Sequence, residues 1–253
     1  NNRKYPIADY SLTPTVAIVD PALVLTVPGS VAADTGMDVL THATEAYVSQ
    51  MASDFTDGLA LQAIKLVFEN LESSVKNADF HSREKMHNAS TIAGMAFANA
   101  FLGISHSMAH KIGAQFHTIH GRTNAILLPY VIRYNGTRPA KTATWPKYNY
   151  YRADEKYQDI ARMLGLPCST PEEAVDAYAK AVYELGERCG IEMNFKAQGV
   201  DEKEWKKHSR ELAFLAYEDQ CSPANPRLPM VDHMQEIIED AYYGYKERPG
   251  RRK

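Results

Sequence analysis

The chain is poor in cysteine: its 253 residues include Cys168, Cys189 and Cys221, far apart and without a CxxC pair. Neither a zinc knuckle nor a disulfide framework is indicated, and a reducing, cytoplasmic setting is expected. Charge of one sign is also lacking. The formal charge is −3 and the pI about 6.3, so there is no electrostatic reason to expect a nucleic acid partner, and the basic tail GYKERPGRRK is too short to change that. No apolar run approaches the roughly 20 residues needed to span a bilayer. The polar start NNRKYPIADY is no signal peptide, so no membrane association is expected. Phosphate-cradling loops are missing as well: neither GxGxxG nor GxxxxGK[ST] occurs, and the 14 glycines are scattered. No serine or cysteine stands in an elbow or triad context, which removes a nucleophile mechanism from consideration.

What the chain does have is apolar content, 45% of its residues, enough to bury a large core. Strand-like sequence is confined to TVAIVD, where Val16 to Val19 form a short β-branched run between Pro14 and Pro21, the pattern of a buried strand. After Pro28, with Ser30 a candidate N-cap, three-and-four spacing takes over. Helices are expected over 32–50, 55–71, 83–102, 153–164, 171–189, 201–216 and 230–243. The third is rich in small residues (Ala89, Ala93, Gly94, Ala96, Ala98, Ala100) and is expected at the centre of the fold. Pro129 should break or kink the apolar stretch AILLPYVIRYN. Residues 135–152, turn-rich and aromatic, read as a long exposed excursion. One early strand followed by many helices suggests the tail of an α/β lobe (1–29) joined to an all-helical lobe (30–253).

Histidine is concentrated. His106, His110, His117 and His120 lie within GISHSMAHKIGAQFHTIHGRTN, four of the nine in the chain. Neutral imidazole is the commonest metal ligand and titrates near neutrality, so the cluster implies a metal site, a proton relay or both. His106 and His110 share a helix face at i,i+4. His106 and His120, fourteen residues apart, would lie roughly 21 Å apart along one straight helix, whereas metal–nitrogen bonds are about 2 Å. The chain must therefore turn between them if both bind one ion. A second i,i+4 pair, Asp38 and His42, stands in GMDVLTHATEAYVS. Asp38, His42, His106 and His120 together would supply one carboxylate and three imidazoles, suited to Fe(II), Zn(II), Co(II) or Mn(II) with a position left for a substrate oxygen. His110 is a ligand or a proton carrier in the same cavity, and His117 reads as packing or hydrogen bonding. His81, His87, His208 and His233, in charged surroundings, read as surface residues. Glu45 reads as second to the ligands or, more simply, as a solvated helix carboxylate.

These two segments carry a family likeness. GMDVLTHATEAYVS together with LGISHSMAHKIGAQFHTIHGRTNAILLP resembles the iron-dependent (group III) alcohol dehydrogenases. YPIADYSLTPTVAIVDPALV, ASDFTDGLALQAIKL, TIAGMAFANAFLG, AYEDQCSPANPRLP and DAYYG extend the likeness to the alcohol dehydrogenase half of the bifunctional aldehyde-alcohol dehydrogenases of fermenting bacteria. The resemblance implies a mainly α chain: the C-terminal helical metal-binding lobe of a two-lobed, dehydroquinate synthase-like fold. It implies Asp38, His42, His106 and His120 as the metal ligands and His110 as the residue facing substrate and nicotinamide. The implied cofactors are Fe(II), with Zn(II) as a substitute, and NAD(H) held mostly by sequence upstream. The implied reaction is reduction of acetaldehyde or a similar short aldehyde to its alcohol, in a homo-oligomer or filament of the full-length protein. A metal-dependent lyase or hydrolase on the same scaffold, or a largely structural filament module, are the alternatives.

Overall fold

In the computed structural model of the protein, which describes residues 4, 6–139 and 151–244, nine α-helices are assigned among the described residues and no strand. They are α1 (Gly29–Val48), α2 (Asp54–Lys76), α3 (Phe80–Ala100), α4 (Ile104–Phe116), α5 (His120–Gly136), α6 (Ala153–Met163), α7 (Pro171–Arg188), α8 (Glu202–Tyr217) and α9 (Val231–Tyr243). Several starts follow directly from local chemistry. Ser53 and Thr56 form a reciprocal capping box at α2, Asp79 accepts from the Ser82 N–H at α3, and Thr170 caps α7 ahead of Pro171. Asp201 does the same at α8. Helix α1 begins one residue before the expected cap Ser30, with Pro28 at the N-cap position.

The helices bury two apolar clusters. One is built from α1, α2, α3, α6 and α7, with Met37, Leu40, Leu71, Tyr157 and Tyr178 at its centre. The other is built from α4, α8 and α9, with Met108, Ile112, Trp205 and Ile238. Helix α5 belongs to both: Ala125, Leu128 and Ile132 face the first, Ile126, Leu127 and Val131 the second. An apolar stripe on each of two faces explains why this helix is buried nearly all round.

Three expectations are corrected. Val16 to Val19 form no strand. The run has no partner strand among the described residues to complete its backbone hydrogen bonds, and Ile18 is 85% exposed rather than buried. Helix α3 lies at the rim rather than the centre: Ala89, Ala93, Ala96 and Ala100 face the core, while Met95 on its other side is 53% exposed. Small residues mark the face by which it approaches α1 and α2, and α1 and α5 are the central helices. Of the expected break or kink at Pro129, the break does not occur: α5 runs through it, and the burial of its neighbours on both sides offsets the lost hydrogen bond. Of the expected excursion over 135–152, residues 140–150 lie outside the described residues, and α5 extends to Gly136. Among the described residues, no single helix is long and apolar enough to cross a membrane.

Candidate metal centre

Two left-handed residues bring the histidine stretch back on itself. Phe101 (φ 64°) ends α3, and the axes of α3 and α4 differ by 107°. His117 (φ 55°) ends α4, and α5 begins three residues later at His120. The turn demanded by the fourteen-residue gap is therefore present, and exposed His117 is the residue that makes it. Gly121 then lets α5 come up against α1. A Cβ there would lie 2.1 Å from the Asp34 carbonyl oxygen and 3.1 Å from Asp38 Cβ, so only glycine permits this approach. Arg122, next along, clasps Asp34 through Nε (2.8 Å) and Nη2 (3.1 Å) and ties the same two helices together.

Asp38 is the hub of what results. Its Oδ1 lies 3.7 Å from His106 Nε2 and 3.8 Å from His120 Nε2, and its Oδ2 lies 3.9 Å from His42 Nε2. Four side chains from three helices thus converge. Ligand atoms about 2.0–2.2 Å from one tetrahedral ion would stand roughly 3.3–3.6 Å apart, a few tenths closer than these separations. The rings are close too: His42 stacks between Phe97 and His106, each with centroids 4.6 Å away, and His120 lies 5.4 Å from His106.

The residues fit a cation. His106 is 1% exposed, and its Nε2 has no hydrogen-bond partner although it faces Asp38; His120 Nδ1 is likewise buried and unpartnered. An unpaired buried polar atom costs about 1–3 kcal/mol, so a ring nitrogen aimed at a carboxylate without bonding to it is a place for an ion. Burial, reinforced by neighbouring imidazoles, pushes His42 and His120 down to about 4. Both rings are therefore neutral at neutral pH, the form that binds a metal, with the Asn124 amide 3.3 Å from His120 Nε2. Burial by itself would raise the Asp38 carboxyl, but the three imidazoles and the Asn124 amide, which donates to Oδ1 at 2.8 Å, hold it below the usual carboxylate range.

His110 is placed beside this cluster with a different partner. It lies one turn from His106, 5% exposed, its ring stacked on His120 at 5.6 Å. Its Nδ1–H donates to Asp219 Oδ2 at 3.1 Å, and Lys111 Nζ donates to the same oxygen at 2.7 Å. Burial opposes ionisation of Asp219, but the bonds from His110, Lys111 and the Cys221 N–H bring its carboxyl down to about 2. Of the remaining histidines, His208 pairs with Glu204 and Glu211 and His233 with the Tyr134 hydroxyl, and His81 is exposed.

Sequence reasoning missed two residues, Asp219 and Asn124, and left a third, Glu45, between two readings. Asp219 lies 109 positions from His110, and no local pattern announces it. Asn124 stands at i,i+4 from His120, a spacing that would have found it. Of the two readings of Glu45, the solvated one is corrected: the residue is 2% exposed and its carboxylate meets α4, accepting from the Gly103 N–H (3.0 Å), the Ser105 N–H (2.7 Å) and His106 Nδ1–H (2.7 Å).

Comparison with known proteins bears on this geometry. The model of the "Fe-containing alcohol dehydrogenase family, C-terminal" matches residues 32–242. The chain is 95% identical over 253 residues to an aldehyde-alcohol dehydrogenase of Streptococcus pneumoniae, covering all of this chain and 29% of the relative. The iron-containing alcohol dehydrogenase of Thermococcus thioreducens superposes with a TM-score of 0.81 at 36% identity, over 94% of this chain and 57% of that one. The sulfoacetaldehyde reductase of Bifidobacterium kashiwanohense, solved in complex with NAD+, does so at 0.76 and 30% identity, over 94% and 57%. The chain thus spans under a third of the curated relative's length.

Proposed function

This chain belongs to the Fe-containing alcohol dehydrogenase family, and on that premise we propose that it is the metal-binding helical part of a longer, cytoplasmic aldehyde-alcohol dehydrogenase that reduces acetaldehyde or a similar short aldehyde with NADH. The observation that carries this reading is the buried, unpartnered Nε2 of His106 facing Asp38, with His42 and His120 beside it. Asp38, His42, His106 and His120 would hold Fe(II), or Zn(II) in its place. When bound, the ion supplies Lewis acidity toward the carbonyl oxygen.

The chain's own residues do the rest. Burial and the neighbouring imidazoles keep His42 and His120 neutral, and Asn124 orients the Asp38 carboxylate. Phe97, stacked on His42, fixes that ring and keeps water from one side of it. Reduction delivers a hydride to the carbonyl carbon and a proton to its oxygen, and His110 is the proton carrier. Because Nδ1–H is committed to Asp219, Nε2 is the nitrogen that takes up and releases the proton, and the ionised Asp219 balances the imidazolium charge. His110 also helps to form the nicotinamide pocket, whose larger part, with the phosphate-binding loop, belongs to an α/β lobe ending near residue 29. The full-length protein would act as a homo-oligomer or filament. No observation favours the lyase, hydrolase or scaffold readings over this one.

The test uses full-length protein purified without oxygen. Elemental analysis should find iron or a substituting divalent ion, and hydride exchange between ethanol and NAD+ should depend on it. Metal-loaded protein that exchanges no hydride with either nicotinamide cofactor would remove the reading.

A further inference from the structure

Helix α1 carries a third acidic or basic side chain on its site-facing side. Asp38, His42 and Glu45 stand at i, i+4 and i+7, one stripe of the helix. The first two meet the other clustered side chains directly; the third reaches past them to α4. We propose that Glu45 is a positioning residue for the metal centre, holding His106 in the one tautomer and orientation that presents Nε2 to the ion. This rests on the metal-site reading above.

Three observations support it. First, a carboxylate is acceptor-only, so the 2.7 Å contact with His106 Nδ1 requires the proton there. That leaves Nε2 as the lone-pair nitrogen, and it is the atom without a partner, 3.7 Å from Asp38. Second, the same carboxylate takes the Gly103 and Ser105 N–H groups at the start of α4, whose N-cap Gly103 offers no side chain of its own. Glu45 therefore caps from α1 the helix that carries His106 and His110, and fixes the helix and the ring at once. Third, the space around it is tailored. A Cβ at Gly103 would lie 2.9 Å from Glu45 Oε1 and 2.8 Å from Asn225 Oδ1, so glycine makes room for this carboxylate. Three hydrogen-bond donors offset the cost of burying this carboxylate; carboxylate partners of metal-binding histidines characteristically raise metal affinity 10- to 100-fold.

The experiment is Co(II) binding to the full-length protein, by chelator competition and by the visible d–d absorption. Glu45→Gln keeps the volume but puts an amide N–H₂ against one of three donors. We expect it to bind Co(II) 10- to 100-fold more weakly and with an altered d–d spectrum, under conditions where the metal-free variant is folded by circular dichroism, so that the lost cap does not enter. Wild-type affinity and spectrum in folded Glu45→Gln overturn the proposal. Should Glu45→Gln not fold, the wild-type protein decides: with 15N-labelled histidine and no metal, His106 should appear as the Nδ1–H tautomer, and an Nε2–H tautomer overturns the role. If wild-type protein itself fails to bind Co(II), the metal-site reading falls, a result distinct from either.

Discussion

The two apolar cores are built by different means. In the first, α3 turns a face of alanines, Ala89, Ala93, Ala96 and Ala100, toward α1 and α2, so the helices pack closely on small side chains. In the second, α4, α8 and α9 are spaced by aromatic rings: Trp205 lies against Phe116, Phe195 and Tyr242 with centroids 5.1, 4.8 and 4.9 Å away. The polar residues of the site collect between them. Helix α1 of the first core contributes Asp38, His42 and Glu45, α4 of the second contributes His106 and His110, and α5, a member of both, contributes His120. A polar cluster that would be ruinous inside either core sits at the seam, where an ion would bind the two cores to each other. The centre should therefore be more sensitive to the seam than to either core.

The bluntest way to break that comparison is to remove the ligand that the second core supplies. His106→Ala should lose the metal and abolish hydride exchange, read by elemental analysis and NADH absorbance; retention of full metal would place the ion elsewhere. Next comes the seam itself. Gly121→Ala puts a methyl group where the Asp34 carbonyl oxygen stands and should cost about 1–3 kcal/mol or more, lowering the urea midpoint of the metal-free protein and weakening metal binding together. An unchanged midpoint would mean that α5 and α1 need not touch there.

A smaller and more selective effect is expected at His110, which is at the seam but paired to Asp219. His110→Gln should keep metal near the wild-type level while slowing hydride transfer by about 10²-fold. If it loses metal as completely as His106→Ala, His110 is a ligand. The smallest effect is on stability with pH. His42 and His120 have folded values of about 4, below the ordinary 6.5, so the unfolded chain binds more protons between those values and stability falls as the pH drops from about 6.5 toward 4. Between pH 7 and 5.5 the metal-free protein should lose roughly 1 kcal/mol per histidine, measured from urea midpoints. A pH-independent midpoint would show that the two rings are not held neutral by the fold.

Much of this was legible in the chain. Helical periodicity and capping residues located seven of the nine helices among the described residues, all but α4 and α5, since both signals are local: a stripe at three-and-four spacing and a side chain that meets N–H groups two or three residues on. The i,i+4 pairs Asp38/His42 and His106/His110 follow from the same geometry. The fourteen-residue separation of His106 and His120 likewise requires a turn between them if both are to meet one ion.

What stayed hidden is what depends on residues far apart. Whether α3 sits at the centre or the rim is decided by which of its faces finds a neighbour, and alanines look alike in either place. Pro129 survives inside α5 because two cores press on it. Asp219 reaches His110 across 109 positions, and Glu45, to all local appearance a solvated helix carboxylate, is buried because α4 starts against it. The sequence determined the helices and the chemical types available to the site, because those rest on neighbours within a turn or two; only the tertiary structure decided which charge is paired, which nitrogen is left without a partner and where the ion would stand, because burial and hydrogen bonding are properties of the assembled seam.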